Sequence, residues 1–300
     1  MPELPEVETV RRTIEPHVVG RRVVSVDVRE RRLRRPVEPD FAARLAGRRI
    51  HGVARRAKYL LLDVDEREPV RRDEERSKTA PGVGSVERSP GREVPADDGR
   101  LRWVVHLGRS GRFCVGEPPE LPHVHVVVEL DDGVRLWFRD PRRFGAMFLS
   151  ERAADLGAIG VEPLGGDFDG DFLWRETRRH RRVAVKNLLM DQRVVAGVGN
   201  IYANEALFDA GVRPSRRAGK VTRAECSRIA HAVRAVLARA IESGGSSLLD
   251  YRDAEGNRGA FQESFSVYER DGKPCPRCGA PLRRTVIGAR GTFWCAGCQR

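Results

Sequence analysis

Four cysteines close to the end of the chain, Cys275, Cys278, Cys295 and Cys298, follow a C-x2-C…C-x2-C pattern. Two close pairs of soft thiolate donors at this spacing form a closed tetrahedral zinc site, so one structural Zn2+ is expected. Four thiolates leave no open coordination position, and such a metal holds structure and does not catalyse. The same stretch carries Arg277, Arg283, Arg284, Arg290 and Arg300 and no Asp or Glu. A metal-stapled hairpin with positive charge only is suited to gripping phosphates. The other reactive candidate is at the opposite end, in Met1-Pro2-Glu3. Once the methionine is removed, Pro2 presents a secondary amine, and an α-amine with a pKa near 8 is partly unprotonated at neutral pH. Attack of that amine on a sugar C1′ leads to an iminium, an electron sink, while Glu3 can carry protons. Taken alone, the two residues also fit an ordinary helix opening.

Composition narrows the partner. The 300 residues carry a formal net charge of +12, and both halves of the chain are basic. That pattern points to a polyanion held between about two domains and not to a single basic tail, although part of the arginine is ordinary surface. Cys114 and Cys226 lie in apolar-periodic stretches and read as buried free thiols. Glu3, Glu6 and Glu8 occupy the place of a signal sequence's basic start, and no apolar run reaches the roughly 18 to 20 residues of a membrane span. A soluble protein in the reducing cytoplasm is expected, without a membrane partner.

These groups need elements to position them. Val7, Val10, Ile14 and Val18 recur at helical spacing, with Gly20 as a stop. Val24, Val26 and Val28 alternate as in a strand, Phe41 to Leu45 reads as a short helix, and Tyr59 to Leu62 as a buried strand. Leu101, Trp103, Val105 and Leu107 alternate into a turn at Gly108 to Gly111. Val124 to Leu130 and Val134 to Phe138 flank Asp131-Asp132-Gly133, a hairpin signature. Residues 66–100 are rich in charge, Pro, Gly and Ser and read as a flexible insertion between two strands. Past residue 150 the period becomes helical, over 172–180 and 183–191. Asn200 is placed to cap a helix to Ala210, and Thr222 and Glu225 form a capping box for a long helix ending at Gly244-Gly245. Residues 246–262 read as a loop.

The motifs together resemble those of the formamidopyrimidine-DNA glycosylases, a bacterial family that removes 8-oxoguanine. Met1 to Thr9, MPELPEVET, is similar to the family's start. RAKYLLL from Arg56, HLG from His106, DPRRFG from Asp140, VAGVGNIYANE from Val195 and the cysteine module follow in family order. The resemblance spans the chain apart from the 66–100 insertion. It implies an α+β multidomain fold: an N-terminal β-sandwich with flanking helices over 1–150, a helix-two-turn-helix domain over 151–262, and a zinc finger over 263–300. It implies Pro2 as nucleophile, Glu3 as proton carrier and Lys58 as a contact to the phosphate of the damaged nucleotide. His106, Asn200, Tyr268 and Arg290 would hold backbone phosphates, with Arg284 beside them on the zinc hairpin. Arg142, Arg143 and Phe144 would form the probing turn, Phe144 as wedge and Arg142 against the orphaned cytosine. The loop from Ser246 to Phe261 would close over the extruded base.

The implied activity is a bifunctional glycosylase and abasic-site lyase of base excision repair. It would act on oxidised purines in double-stranded DNA through a Schiff base with β,δ-elimination, as a monomer at the nucleoid. One departure stands out: Arg109 replaces the methionine that family members usually place after this segment as a third gap filler. That substitution keeps open an endonuclease VIII-like preference for oxidised pyrimidines. A non-catalytic lesion binder is the other alternative, and the joint presence of Pro2, Glu3 and Lys58 argues against it.

Overall fold

The computed structural model describes residues 2–64, 100–247 and 251–300. Helix α1 (Leu4–Val18) buries Val7, Val10, Ile14 and Val18 along one stripe. Strand β1 (Val23–Val28), helix α2 (Phe41–Leu45) and strands β2 (Ile50–Arg56), β3 (Tyr59–Val64), β4 (Leu101–His106), β5 (Arg112–Val115), β6 (Val124–Leu130), β7 (Arg135–Arg139) and β8 (Ala146–Ser150) follow. They form two antiparallel four-stranded sheets, ordered β1-β6-β7-β5 and β2-β3-β4-β8. The inner faces share one core around Leu62, Trp103, Phe113, Val128, Leu136 and Phe138, the expected sandwich. The outer face of the second sheet is also covered, by a small cluster of Leu61, Val104, Ala146 and Phe148. Burial on both faces explains why β3 reads as an apolar run, and why Val104 of β4 is buried although it falls between the alternating Leu101, Trp103 and Val105.

Strand β1 departs from the expected alternation. Its buried valine is Val23, while Val24 is 47% exposed, because a register shift between Val23 and Ser25 moves the facing set. The 66–100 insertion lies, except for Arg100, outside the described residues. Its flanks are strands that pair with each other, from Val64↔Leu101 at one end to Tyr59↔His106 at the other.

Four helices, α3 (Gly170–Arg179), α4 (Val185–Met190), α5 (Asn200–Asp209) and α6 (Arg223–Glu242), surround a second core of Leu173, Leu189, Tyr202, Leu207, Val233 and Leu237. The Asp169 side chain caps α3 by accepting from Phe172 N at 2.6 Å, and the Thr222–Glu225 box opens α6. Strands β9 (Arg283–Ile287) and β10 (Arg290–Trp294) make the final hairpin, over a third small core of Phe208, Val267, Leu282 and Phe293.

Helix α1 joins the first two cores. Leu4 is fully buried in the helical core, while Val7 and the rest of the stripe lie in the sandwich core. Leu4 N also donates to Gly197 O at 3.0 Å. A Leu4→Ala change would cost about 2–5 kcal/mol through the cavity it leaves. The first residues of the chain are thereby held at the junction of the two halves.

Candidate active site

A cavity of about 430 Å³ opens at this junction, within the range of pockets that take a small organic group. Pro2, Glu3, Lys58, Arg109, Asn200, Tyr268 and Arg290 all line it, although they come from every part of the chain. Ser246 and Tyr251 line it too, so the stretch after α6 reaches the cavity; residues 248–250 of that loop lie outside the described set.

Glu3 is buried and sits at the start of α5. Its carboxylate accepts from Gly199 N at 2.8 Å and from Ile201 N at 3.1 Å. It thereby satisfies helix N–H groups that have no partner within the helix. A Cβ on Gly199 would lie 2.3 Å from the Glu3 carboxyl carbon, so only glycine admits this approach. The assignment of Asn200 as cap is corrected here. Gly199 holds the N-cap position, and the capping oxygens arrive from Glu3, 196 residues away from Gly199. Asn200 is the first helical residue and turns its amide outward, donating to Gly291 O at 3.1 Å and to Tyr268 Oη at 3.4 Å.

Lys58 lies in the β2–β3 turn and is only 8% exposed. Burial pushes its ammonium below the ordinary lysine range, and Glu3 and Glu6 pull it back up. Burial pushes the Glu3 carboxyl above its usual range; Lys58 opposes this and Glu6 adds to it. Glu3 therefore keeps its proton to higher pH than a solvated carboxyl does, as a group that must donate a proton requires. His106, at the end of β4, is depressed to about 4 by burial and by Arg34 and Lys58, so it is neutral at physiological pH. Its Nδ1 accepts from Gly108 N at 3.0 Å. The ring proton consequently sits on Nε2, which makes His106 a neutral donor.

Arg142, Arg143 and Phe144 form an exposed turn apart from the cavity lining. The Arg142 guanidinium lies 4.9 Å from the Phe144 ring centroid, and Arg143 meets Glu30 at 3.6 Å. This turn is pressed against the loop that carries Arg109: a Cβ on Gly108, whose φ is +65°, would lie 2.4 Å from the Phe144 backbone. Arg109 is exposed and makes no hydrogen bond or ion pair among the described residues. Arg284 is exposed on β9 and is not among the residues that line the cavity.

Sequence reasoning missed the buried charges behind these groups. Glu6 accepts from Glu3 N at 2.7 Å and from Ser246 N at 2.8 Å, and it also takes the Tyr202 hydroxyl. Glu205 accepts from the backbone N–H groups of Ser266, Val267 and Tyr268 at 2.8 to 3.0 Å. Lys186 is wholly buried and donates to Gly291 O at 2.9 Å and Thr292 Oγ1 at 2.6 Å; burial and Arg290 depress it to about 7 against the pull of Glu3. A charge set inside an apolar helix, as Glu205 is in IYANEALF, was the signal available.

The Sγ atoms of Cys275, Cys278, Cys295 and Cys298 all lie within 4.8 Å of one another. Cys275 and Cys298 are 3.9 Å apart and Cys278 and Cys295 3.5 Å. Tetrahedral zinc with bonds of about 2.3 Å needs sulfurs about 3.8 Å apart, so the four residues fit one structural Zn2+.

Residues 1–147, 159–251 and 272–300 match, in turn, the family models described as the formamidopyrimidine-DNA glycosylase N-terminal domain, the formamidopyrimidine-DNA glycosylase H2TH domain and a zinc finger found in FPG and IleRS. The chain is 47% identical to the formamidopyrimidine-DNA glycosylase of Thioalkalivibrio sulfidiphilus and 45% identical to that of Stutzerimonas stutzeri, with all of each chain covered. It is similar to the crystal structure of MutM (Fpg) from Thermus thermophilus, with TM-score 0.79 and 38% identity over 99% of this chain and 98% of that one. It is also similar to Lactococcus lactis Fpg in complex with abasic-site DNA, with TM-score 0.80 and 28% identity over 99% of both chains. The chain belongs to the formamidopyrimidine-DNA glycosylase family.

Proposed function

We propose that this DNA glycosylase of base excision repair is bifunctional, excising oxidised purines and then cleaving the strand through a Schiff base on Pro2. The observation that carries the reading is a single one: a buried carboxyl held up in pKa, a buried ammonium and the first residues of the chain converge on one cavity. With the initiator methionine removed, the Pro2 nitrogen attacks C1′ of the extruded nucleotide. Glu3 gives its proton to the deoxyribose ring oxygen, the base leaves, and the C1′–N bond becomes an iminium. Loss of a proton from C2′ then expels the 3′ phosphate, and a second elimination expels the 5′ phosphate. Lys58 meets the phosphate side of this nucleotide. His106, Asn200, Tyr268 and Arg290 hold neighbouring phosphates, and Phe144 with Arg142 occupies the space vacated by the base, offsetting the few kcal/mol of flipping. The zinc hairpin, with Arg284 and Arg290, supplies grip. We take 1–150, 151–262 and 263–300 as its working units and place it at the nucleoid by DNA affinity.

Borohydride trapping tests the reading. A duplex carrying an abasic site should give a covalent adduct with the processed, zinc-loaded protein. Pro2→Gly should lose most of that adduct and still bind the duplex. Absence of an adduct from the intact protein would overturn the enzyme reading in favour of a lesion binder. A second, wider substrate reading is favoured by Arg109 and by a relative: Lactococcus lactis Fpg has been crystallised with DNA containing an oxidised pyrimidine. Excision rates on paired purine and pyrimidine lesions separate the two.

A further inference from the structure

Glu162 lies in the segment between the sandwich and the helical half, outside the cavity and outside the residues assigned to catalysis above. We propose that it is a positioning residue that fixes Lys58 relative to Glu3 across the domain junction. The inference rests on the reading of Lys58 as a substrate contact.

The geometry is specific. One carboxylate accepts three donors from the β2–β3 hairpin: Ala57 N at 2.6 Å, Arg56 Nη1 at 2.9 Å and Arg55 Nη1 at 2.9 Å. Ala57 is the residue before Lys58, and its φ of +52° is a conformation that residues with a Cβ adopt reluctantly. Capture of its N–H holds the turn in that conformation. Burial pushes the Glu162 carboxyl up, but Arg55, the Ala57 N–H and Arg56 outweigh burial, and it lies below the usual carboxylate range. It is a committed anion. Lys58 itself makes no hydrogen bond among the described residues. No hydrogen bond fixes the ammonium, which feels only the longer-range attraction of Glu3 and Glu6, so the turn sets the starting point of the side chain.

The other side of Glu162 leads to Glu3. Arg56 Nη2 donates to Ile159 O at 3.2 Å and Gly160 O at 2.6 Å. The same segment pairs with the loop before α5: Gly160 N donates to Gln192 O, Val161 N to Val194 O, and Ala196 N to Val161 O. That loop runs on to Gly197, which holds Leu4 N, and to Gly199, which holds Glu3. Arg55 closes the circuit through Glu8 of α1, at 3.2 Å. Lys58 and Glu3 are thus fixed in one frame, in which Glu162 is the carboxylate that takes the Ala57 N–H beside Lys58. Ion pairs in such part-buried settings can specify geometry while adding little net stability.

The test is a double-mutant cycle with Lys58, read as single-turnover excision of the best lesion by the zinc-loaded full chain. Glu162→Ala should slow excision tenfold or more, since small misplacements of a catalytic group are costly. Glu162→Gln, which can still accept from Ala57 N, should recover part of that loss. In a Lys58→Ala background, Glu162→Ala should add less than twofold. Losses that multiply across the cycle would overturn the inference, as would wild-type excision by Glu162→Ala. Should Glu162→Ala fail to fold by circular dichroism, the Glu162→Gln arm of the cycle decides by the same criterion. Failure of the parent protein to excise or to be trapped would instead count against the proposed function.

Discussion

The cavity wall and the probing turn sit side by side and are built in opposite ways. Glu3 is buried and held by two helix N–H groups, and Lys58 is buried in a turn held by Glu162. Arg142 and Phe144 are exposed, and Arg109 has no partner at all among the described residues. Groups that must act on a reacting sugar are fixed in advance, because aligned geometry and dipoles lower the barrier without reorganisation. In the proposed reading, the exposed Arg142, Phe144 and Arg109 are left with few partners of their own, so that a duplex can supply them. Rigidity and availability are divided between neighbours, and the Gly108–Phe144 contact keeps the two in register.

The division can be broken at several points. The largest effect should come from Glu3→Gln, which removes the proton donor while leaving an oxygen to cap α5. Single-turnover excision should fall about 10²- to 10⁴-fold. The pH dependence of stability should change as well. A raised folded pKa means that the Glu3 contribution is complete below the ordinary value of 4.5 and is lost as pH rises through the folded value. Glu3→Gln should flatten that slope in thermal melts from pH 4 upward. Next comes zinc. Chelation should unfold the hairpin, because the third core depends on Cys275 and Cys295. Damaged-duplex affinity should drop tenfold or more, with metal content and far-UV signal falling together.

A smaller loss is expected on the exposed side. Phe144→Ala should lower excision in duplex DNA about tenfold and leave melting unchanged, since the ring is 40% exposed; a comparable loss of stability would show the turn to be structural. The smallest effect is assigned to Arg109→Met. If the guanidinium meets a phosphate, the slope of log affinity against log salt should fall by about 0.9. An unchanged slope would place Arg109 in the base stack instead.

Much of this was legible in local sequence. The cysteine spacing, the Asp131-Asp132-Gly133 hairpin, the Thr222–Glu225 box and the stripe of α1 are each written within a few residues, where periodicity and turn chemistry operate. What was not legible is long-range electrostatics. A helix start looks the same whether its N–H groups are met by Asn200 or by a carboxylate from the far end of the chain, so Glu3 escaped notice as a cap. Glu162 and Lys186 carry no local pattern, because each is defined by partners more than 100 residues away. The bulge at Val23 to Ser25 depends on the partner strand β6, which no reading of β1 alone contains.

The ladder between β3 and β4 has a bearing on how such proteins vary. Val64 and Leu101 are bonded neighbours, so whatever length of chain joins them begins and ends at one point. Lys58 and His106 sit at the opposite end of that ladder, about 17 Å away at strand rise. Additions or deletions at the open end should leave the β3–β4 register, and the end that carries Lys58 and His106, undisturbed. The hairpin is therefore a natural place to graft a reporter or an affinity handle into this scaffold without touching its chemistry.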